Sequence, residues 1–119
     1  MARPLAGYPT SWGNKRASVF PVTGPASYTQ YTAPTTGGQD VQLAPTAGIK
    51  FADFALGGIT TDGLHRAEVV QIEPSSLGGL TVPGSRLVLK WYVVAGGAEV
   101  AGGVNLSTKT VYIFAVGSN

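Results

Sequence analysis

Cysteine is absent from the 119 residues, histidine occurs once, and charged residues make up only 12% of the chain. Without cysteine there can be no disulfide and no thiolate metal site, and the redox compartment is left open. The single histidine, His65, restricts nucleophilic catalysis: a serine nucleophile needs a base within reach and an acid to orient that base. Asp62 and Glu68 stand near His65 in sequence, yet no serine occupies a Gly-x-Ser-x-Gly elbow. No apolar run approaches the length needed to span a bilayer, so no membrane partner is expected. No signal peptide is expected either, because Met1-Ala2-Arg3-Pro4 leads into no apolar stretch before Lys15. These signals predict a protein made in a cytoplasm that stays soluble.

Other chemistries lack their residues as well. Glu68 and Glu73 are an odd number of positions apart, so a regular strand would point them to opposite faces, away from glycosidase-like pairing. The six acids are scattered, and no metal site is expected. Gly-Gly pairs recur, but neither Gly-x-Gly-x-x-Gly nor a Gly-Lys-Ser/Thr motif follows a strand, so no nucleotide cofactor is expected. Asn105-Leu106-Ser107 matches the glycosylation triplet by chance composition.

The residues that are present point to β structure. Hydrophobic residues make up 44% of the chain, with 17 Gly and 8 Pro and no Leu- or Ala-rich helical tract, as in an all-β domain with many turns. The clearest strand is Arg86–Ala95, with Leu87, Leu89, Trp91 and Val93 on one face and Val88, Lys90, Tyr92 and Val94 on the other. Both faces are largely apolar, which suits a central strand. Gly96-Gly97 is expected to supply two positive-φ residues for a hairpin into Ala98–Ala101.

Lys109–Val116 is a second strand with Val111, Ile113 and Ala115 opposed to Tyr112, Phe114 and Val116. Ala17–Thr23 is a strand whose Pro21 demands an edge or a bulge. Shorter strands are expected at Tyr28–Ala33, Asp40–Leu43, Ile49–Leu56 and His65–Glu73, with Leu80–Val82 between turn signals and Ile59–Leu64 as a loop. The expectation is one compact β-sandwich, jelly-roll-like, of seven or eight short strands spanning residues 17–119.

Residues 1–16 form a separate arm. Pro4 and Pro9 favour an extended path, and Leu5, Tyr8 and Trp12 are anchors that a disordered tail would normally lack. The arm is basic: residues 1–39 hold Arg3, Lys15 and Arg16 and no acid, whereas residues 40–119 hold five basic residues and six acids. Three cations are too few for a nucleic-acid tail, so no nucleic-acid partner is expected; they suit an acidic protein surface. A surface this poor in charge also suits a chain packed against other subunits.

Several stretches resemble small virion proteins of tailed bacteriophages that decorate or cement the capsid. They are Gly13-Asn14-Lys15-Arg16 leading to Val22-Thr23, then Ser27-Tyr28 and Thr36-Gly37-Gly38, and at the far end Asn105 to Val111 and Phe114-Ala115-Val116-Gly117. The stretch Ile59–Gly84 matches nothing in that pattern. The resemblance implies a non-enzymatic β domain on the virion surface, often trimeric, that binds the major capsid protein where capsomers meet. Leu5, Tyr8, Trp12, Lys15 and Arg16 are the expected contacts with the capsid or an adjacent copy. Alternatives are a head-fibre base, a tail-associated β domain, or a carbohydrate-binding module using Trp91 and Tyr92 as an exposed stacking platform.

Overall fold

The computed structural model describes residues 15–32, 36–43, 49–77 and 80–118, and the side chains of residues 74–83 are not described. Leu5, Tyr8 and Trp12 therefore lie outside the described residues. The chain is all-β, with seven strands in two antiparallel sheets: β1 Arg16–Thr23, β2 Gln39–Gln42, β3 Phe51–Leu56, β4 Gly58–Ile59, β5 His65–Leu77, β6 Leu80–Val93 and β7 Thr110–Ser118. One sheet has the order β1-β7-β3 and the other β2-β6-β5-β4.

The two strands with the strongest period-two pattern are both interior strands. β6 lies between β2 and β5, and β7 lies between β1 and β3. Their inward residues, Leu87, Leu89 and Trp91 from β6 and Val111, Ile113 and Ala115 from β7, are fully buried. Phe20, Val22, Val41, Ala52 and Ala67 close the core from the flanking strands. Each large side chain in that layer stabilises the fold by about 1.5–3 kcal/mol through removal from water. Pro21, which cannot donate to a ladder, sits on edge strand β1 opposite Tyr112.

Several elements differ from expectation. Leu80–Val82 and the Arg86 strand are one strand, paired with β5 along a hairpin that runs to Leu77 opposite Leu80. Tyr28–Thr32 forms no strand; only an isolated bridge joins Thr32 to Thr36, and Tyr28 instead plugs the core. Gly96 and Gly97 do adopt φ of 85° and 75°. Their hairpin returns through a single bridge, Tyr92 to Glu99, rather than a full strand. The loop expected at Ile59–Leu64 begins with the last residue of β4.

The switch between sheets occurs at Gly57, the one residue separating β3 from β4. A Cβ there would lie 1.9 Å from the carbonyl oxygen of Ala67, so only glycine lets the corner approach β5 this closely. Thr61 N–H then donates to the Thr110 carbonyl at 3.1 Å, tying the corner to β7.

Candidate interaction surface

The three-stranded sheet has an apolar face on each side. Val19 stands opposite Phe114, Pro21 opposite Tyr112, Leu56 opposite Phe114 and Phe54 opposite Val116. These residues point away from the core, because their neighbours Phe20, Ile113 and Ala115 point into it. Val19 is 64% exposed, Leu56 58%, Tyr112 53% and Phe54 46%. Phe54 and Phe114 make a tilted aromatic contact with ring centroids 6.1 Å apart. A bulge between Ala52 and Phe54 sets this register on β3.

The patch continues around the corner. Ile59, also exposed, leads to an open depression of about 490 Å³ lined by Ala55, Leu56, Gly58, Ala67 and Val69. Arg66 and Glu68 rim it, hydrogen-bonded to each other. Contiguous exposed apolar surface of this kind marks interaction sites on soluble domains.

Of the expected arm contacts, Lys15 and Arg16 fall within the described residues. Arg16 is the first residue of β1, exposed and opposite Gly117. Lys15 precedes it and forms a 2.7 Å ion pair with Asp53 on β3. Since β7 lies between β1 and β3, that ion pair spans the end of the sheet. Both partners are well exposed, so the pair adds little stability.

Behind the four-stranded sheet's free end, a polar network fixes the loops. The Tyr28 hydroxyl accepts from Trp91 N–H at 3.1 Å and donates to Glu99 Oε2 at 2.8 Å, while Tyr31 N–H donates to the same oxygen at 2.7 Å. The Trp91 indole donates to Gln39 Oε1 at 2.8 Å, and Gln39 donates on to the Thr23 carbonyl. Burial of Tyr28 drives its phenol well above the ordinary tyrosine range; the Trp91 hydrogen bond opposes this, and the Glu99 carboxylate reinforces it.

The side chains singled out for chemistry take other roles. Asp62 is occupied by Lys109 Nζ at 2.6 Å, Thr60 Oγ1 at 2.6 Å and Leu64 N–H at 3.0 Å. The Lys109 contact first, then Thr60 and Leu64, hold this carboxyl below the usual carboxylate range. His65 Nδ1 is buried without a hydrogen-bond partner among the described residues. Asn105 Oδ1 accepts from both N–H and Oγ of Ser107, a local turn that explains the triplet there.

Two readings need correction. Glu68 and Glu73 share a face, because a bulge between Val69 and Gln71 shifts the register so that they oppose Lys90 and Arg86. Those partners are four residues apart on β6, about 13 Å, beyond the separation of glycosidase carboxylates. Trp91 and Tyr92 form no platform, since Trp91 is fully buried and Tyr92 projects from the opposite face. Tyr92 instead carries the Arg66 guanidinium 4.1 Å over its ring, and Lys90 Nζ lies 5.3 Å from the same ring. Hydrogen bonding to Tyr92 raises the Lys90 ammonium above the ordinary lysine value.

The apolar outer face went unnamed as a site at the sequence level, although its signal was visible. Tyr112, Phe114 and Val116 alternate with the core residues of the same strand, and Val19 does so in β1. Alternation identifies two faces without saying which one stays open. Searches of protein-family models, curated proteins and solved structures found no match to this chain.

Proposed function

We propose that this chain is a structural protein of a tailed-bacteriophage virion, a capsid decoration or cement protein that binds the outer shell and stabilises contacts between capsomers. The observation that carries the reading is the contiguous apolar face of Val19, Phe54, Leu56 and Tyr112 on a chain with few charges. Such a surface works through area in contact, and the sequence resemblance at both ends of the chain supplies the context. In this reading no bond is made or broken. Leu5, Tyr8, Trp12, Lys15 and Arg16 contact the major capsid protein or an adjacent copy, in a trimer at the joints of the shell. Many weak contacts repeated over a symmetric shell add up through multivalency and stabilise the assembled state by mass action.

The test is cosedimentation with empty shells assembled from the major capsid protein of the same phage. The full chain is expected to pellet with shells, and a chain starting at Lys15 is expected to remain in the supernatant while staying folded. Equal pelleting of both would remove the arm from the account. Failure of the full chain to pellet would overturn the reading as a whole.

A further inference from the structure

We infer that the Asp62–Gly63 bond is a site of spontaneous isoaspartate formation, and that Lys109 and Thr60 suppress the reaction in the folded chain. The inference concerns the covalent lifetime of the protein and does not depend on the capsid reading.

The sequence supplies the chemistry. Asp62 is the only Asp or Asn followed by Gly in the 119 residues. In such a pair the glycine nitrogen can attack the aspartate Cγ, because no side chain hinders its approach and the backbone is free to turn. The N–Cγ bond forms, the Cγ–OH bond of the protonated carboxyl breaks, and the hydroxyl leaves with the amide proton as water. The product is a five-membered succinimide. Water then adds to one of its two carbonyls, which restores aspartate or gives isoaspartate. Nothing is oxidised or reduced, and the mass returns to its starting value.

Packing does not prevent this reaction. Asp62 and Gly63 are both exposed, and a Cβ built on Gly63 would meet nothing within 4 Å. Polar contacts restrain both reacting groups instead. Lys109 Nζ lies 2.6 Å from Asp62 Oδ2 and favours the ionised carboxylate, which has no hydroxyl to lose. The Lys109 contact is also the largest of the influences that hold this carboxyl below the usual carboxylate range. Thr60 Oγ1 and Leu64 N–H donate to Oδ1 at 2.6 and 3.0 Å and fix the plane of the carboxylate. The nucleophile is engaged as well, since Gly63 N–H donates to the Thr60 carbonyl at 2.9 Å. Thr60 therefore holds the acid through its hydroxyl and the amide through its carbonyl, and it is buried.

These restraints belong to the fold. Lys109 stands 47 residues from Asp62 and reaches it only when the start of β7 is in place beside the turn. Local opening of that corner releases the carboxylate and the amide together. Isoaspartate would lengthen the main chain by one carbon inside the turn that joins Thr60 N–H to the His65 carbonyl.

The test incubates the native chain at neutral pH, folded and in urea. Isoaspartate is read by methyl transfer from an isoaspartate methyltransferase and by resolving two equal-mass forms of the tryptic peptide Phe51–Arg66. The folded chain is expected to accumulate it several-fold more slowly than the chain in urea. Equal rates would overturn the protection, and absence of isoaspartate in urea would overturn the site. In folded chains, Lys109→Met is expected to raise the rate several-fold and Lys109→Arg to restore it. An unchanged rate in Lys109→Met, or no restoration by Arg, would remove the Lys109 charge from the account. The comparison with urea needs no variant, so a Lys109→Met chain that fails to fold leaves the inference open to refutation. Shell cosedimentation is a separate measurement, and its failure leaves these outcomes intact.

Discussion

The hydroxyl of Tyr28 donates a 2.8 Å hydrogen bond to Glu99, 71 residues further along the chain. The same oxygen receives Trp91 N–H, so one phenol joins the Tyr28 loop, the interior strand β6 and the return of the Gly96–Gly97 hairpin. Tyr28→Phe keeps the ring's packing but leaves the Trp91 N–H without its acceptor. The loss is expected to be about 1–3 kcal/mol, the cost of a buried group stripped of its partner. Urea unfolding with an unchanged m-value checks it.

The same phenol sets a limit at alkaline pH. Its folded-state pKa is raised, so its contribution to stability is complete below the ordinary tyrosine pKa and is lost as pH rises through that value toward the folded one. Stability measured from pH 8 upward is expected to fall in the native chain beyond that ordinary value and to fall less steeply in Tyr28→Phe. In ultraviolet titration, Tyr28 is expected to ionise above the ordinary tyrosine range, together with unfolding.

Asp62 acts at the opposite end of the scale. Its folded pKa is depressed by Lys109, Thr60 and Leu64, so its contribution is present above the ordinary carboxylate pKa and is lost as pH falls below that range. Asp62→Asn is expected to flatten the acid limb of the stability curve while retaining the local turn. An acid limb identical to the native one would show that the Lys109 contact contributes nothing.

Neighbouring residues of β7 predict opposite outcomes. Ile113 is fully buried and Tyr112 is half exposed. Ile113→Asp would bury an unpaired charge, a cost on the scale of the entire 5–15 kcal/mol of a small domain, and is expected to abolish cooperative folding. Leu89→Asp on β6 is expected to do the same. Tyr112→Ser is expected to leave a cooperative thermal transition.

Gly57→Ala probes the corner between sheets. Its new methyl would meet the Ala67 carbonyl, so backbone must shift, at a cost of about 1–3 kcal/mol by analogy with overpacked cores. Gly63→Ala makes a useful contrast. Its site is open around the Cβ, but its φ of 77° makes the substitution strained for a different reason.

Strand identity was legible where a pattern is local. In Arg86–Val93 and Thr110–Val116 the side chains alternate without interruption, and those became β6 and β7, each an interior strand of its sheet. The Pro21 edge position and the positive φ of Gly96 and Gly97 were legible for the same reason, since each is a property of one residue's backbone. Tyr28–Thr32 misled because it alternates like a strand, yet Tyr28 bonds to Val104 and Gly103, Thr29 accepts from Gly38 and Thr32 exchanges bonds with Thr36, which makes no ladder. Glu68 and Glu73 misled because a bulge inserts one residue, and nothing in the intervening Val69–Ile72 announces it.

By itself the sequence determined the class of the protein: period-two alternation, turn glycines and scarce charge lead to a β domain, because these are constraints between residues adjacent in the chain. Only the tertiary structure decided which apolar face of β7 entered the core and which stayed open, which loop met Glu99, and which strand Lys15 reached. Those choices depend on partners tens of residues away, where loop closure and competing burial select one pairing among several that the local pattern allows.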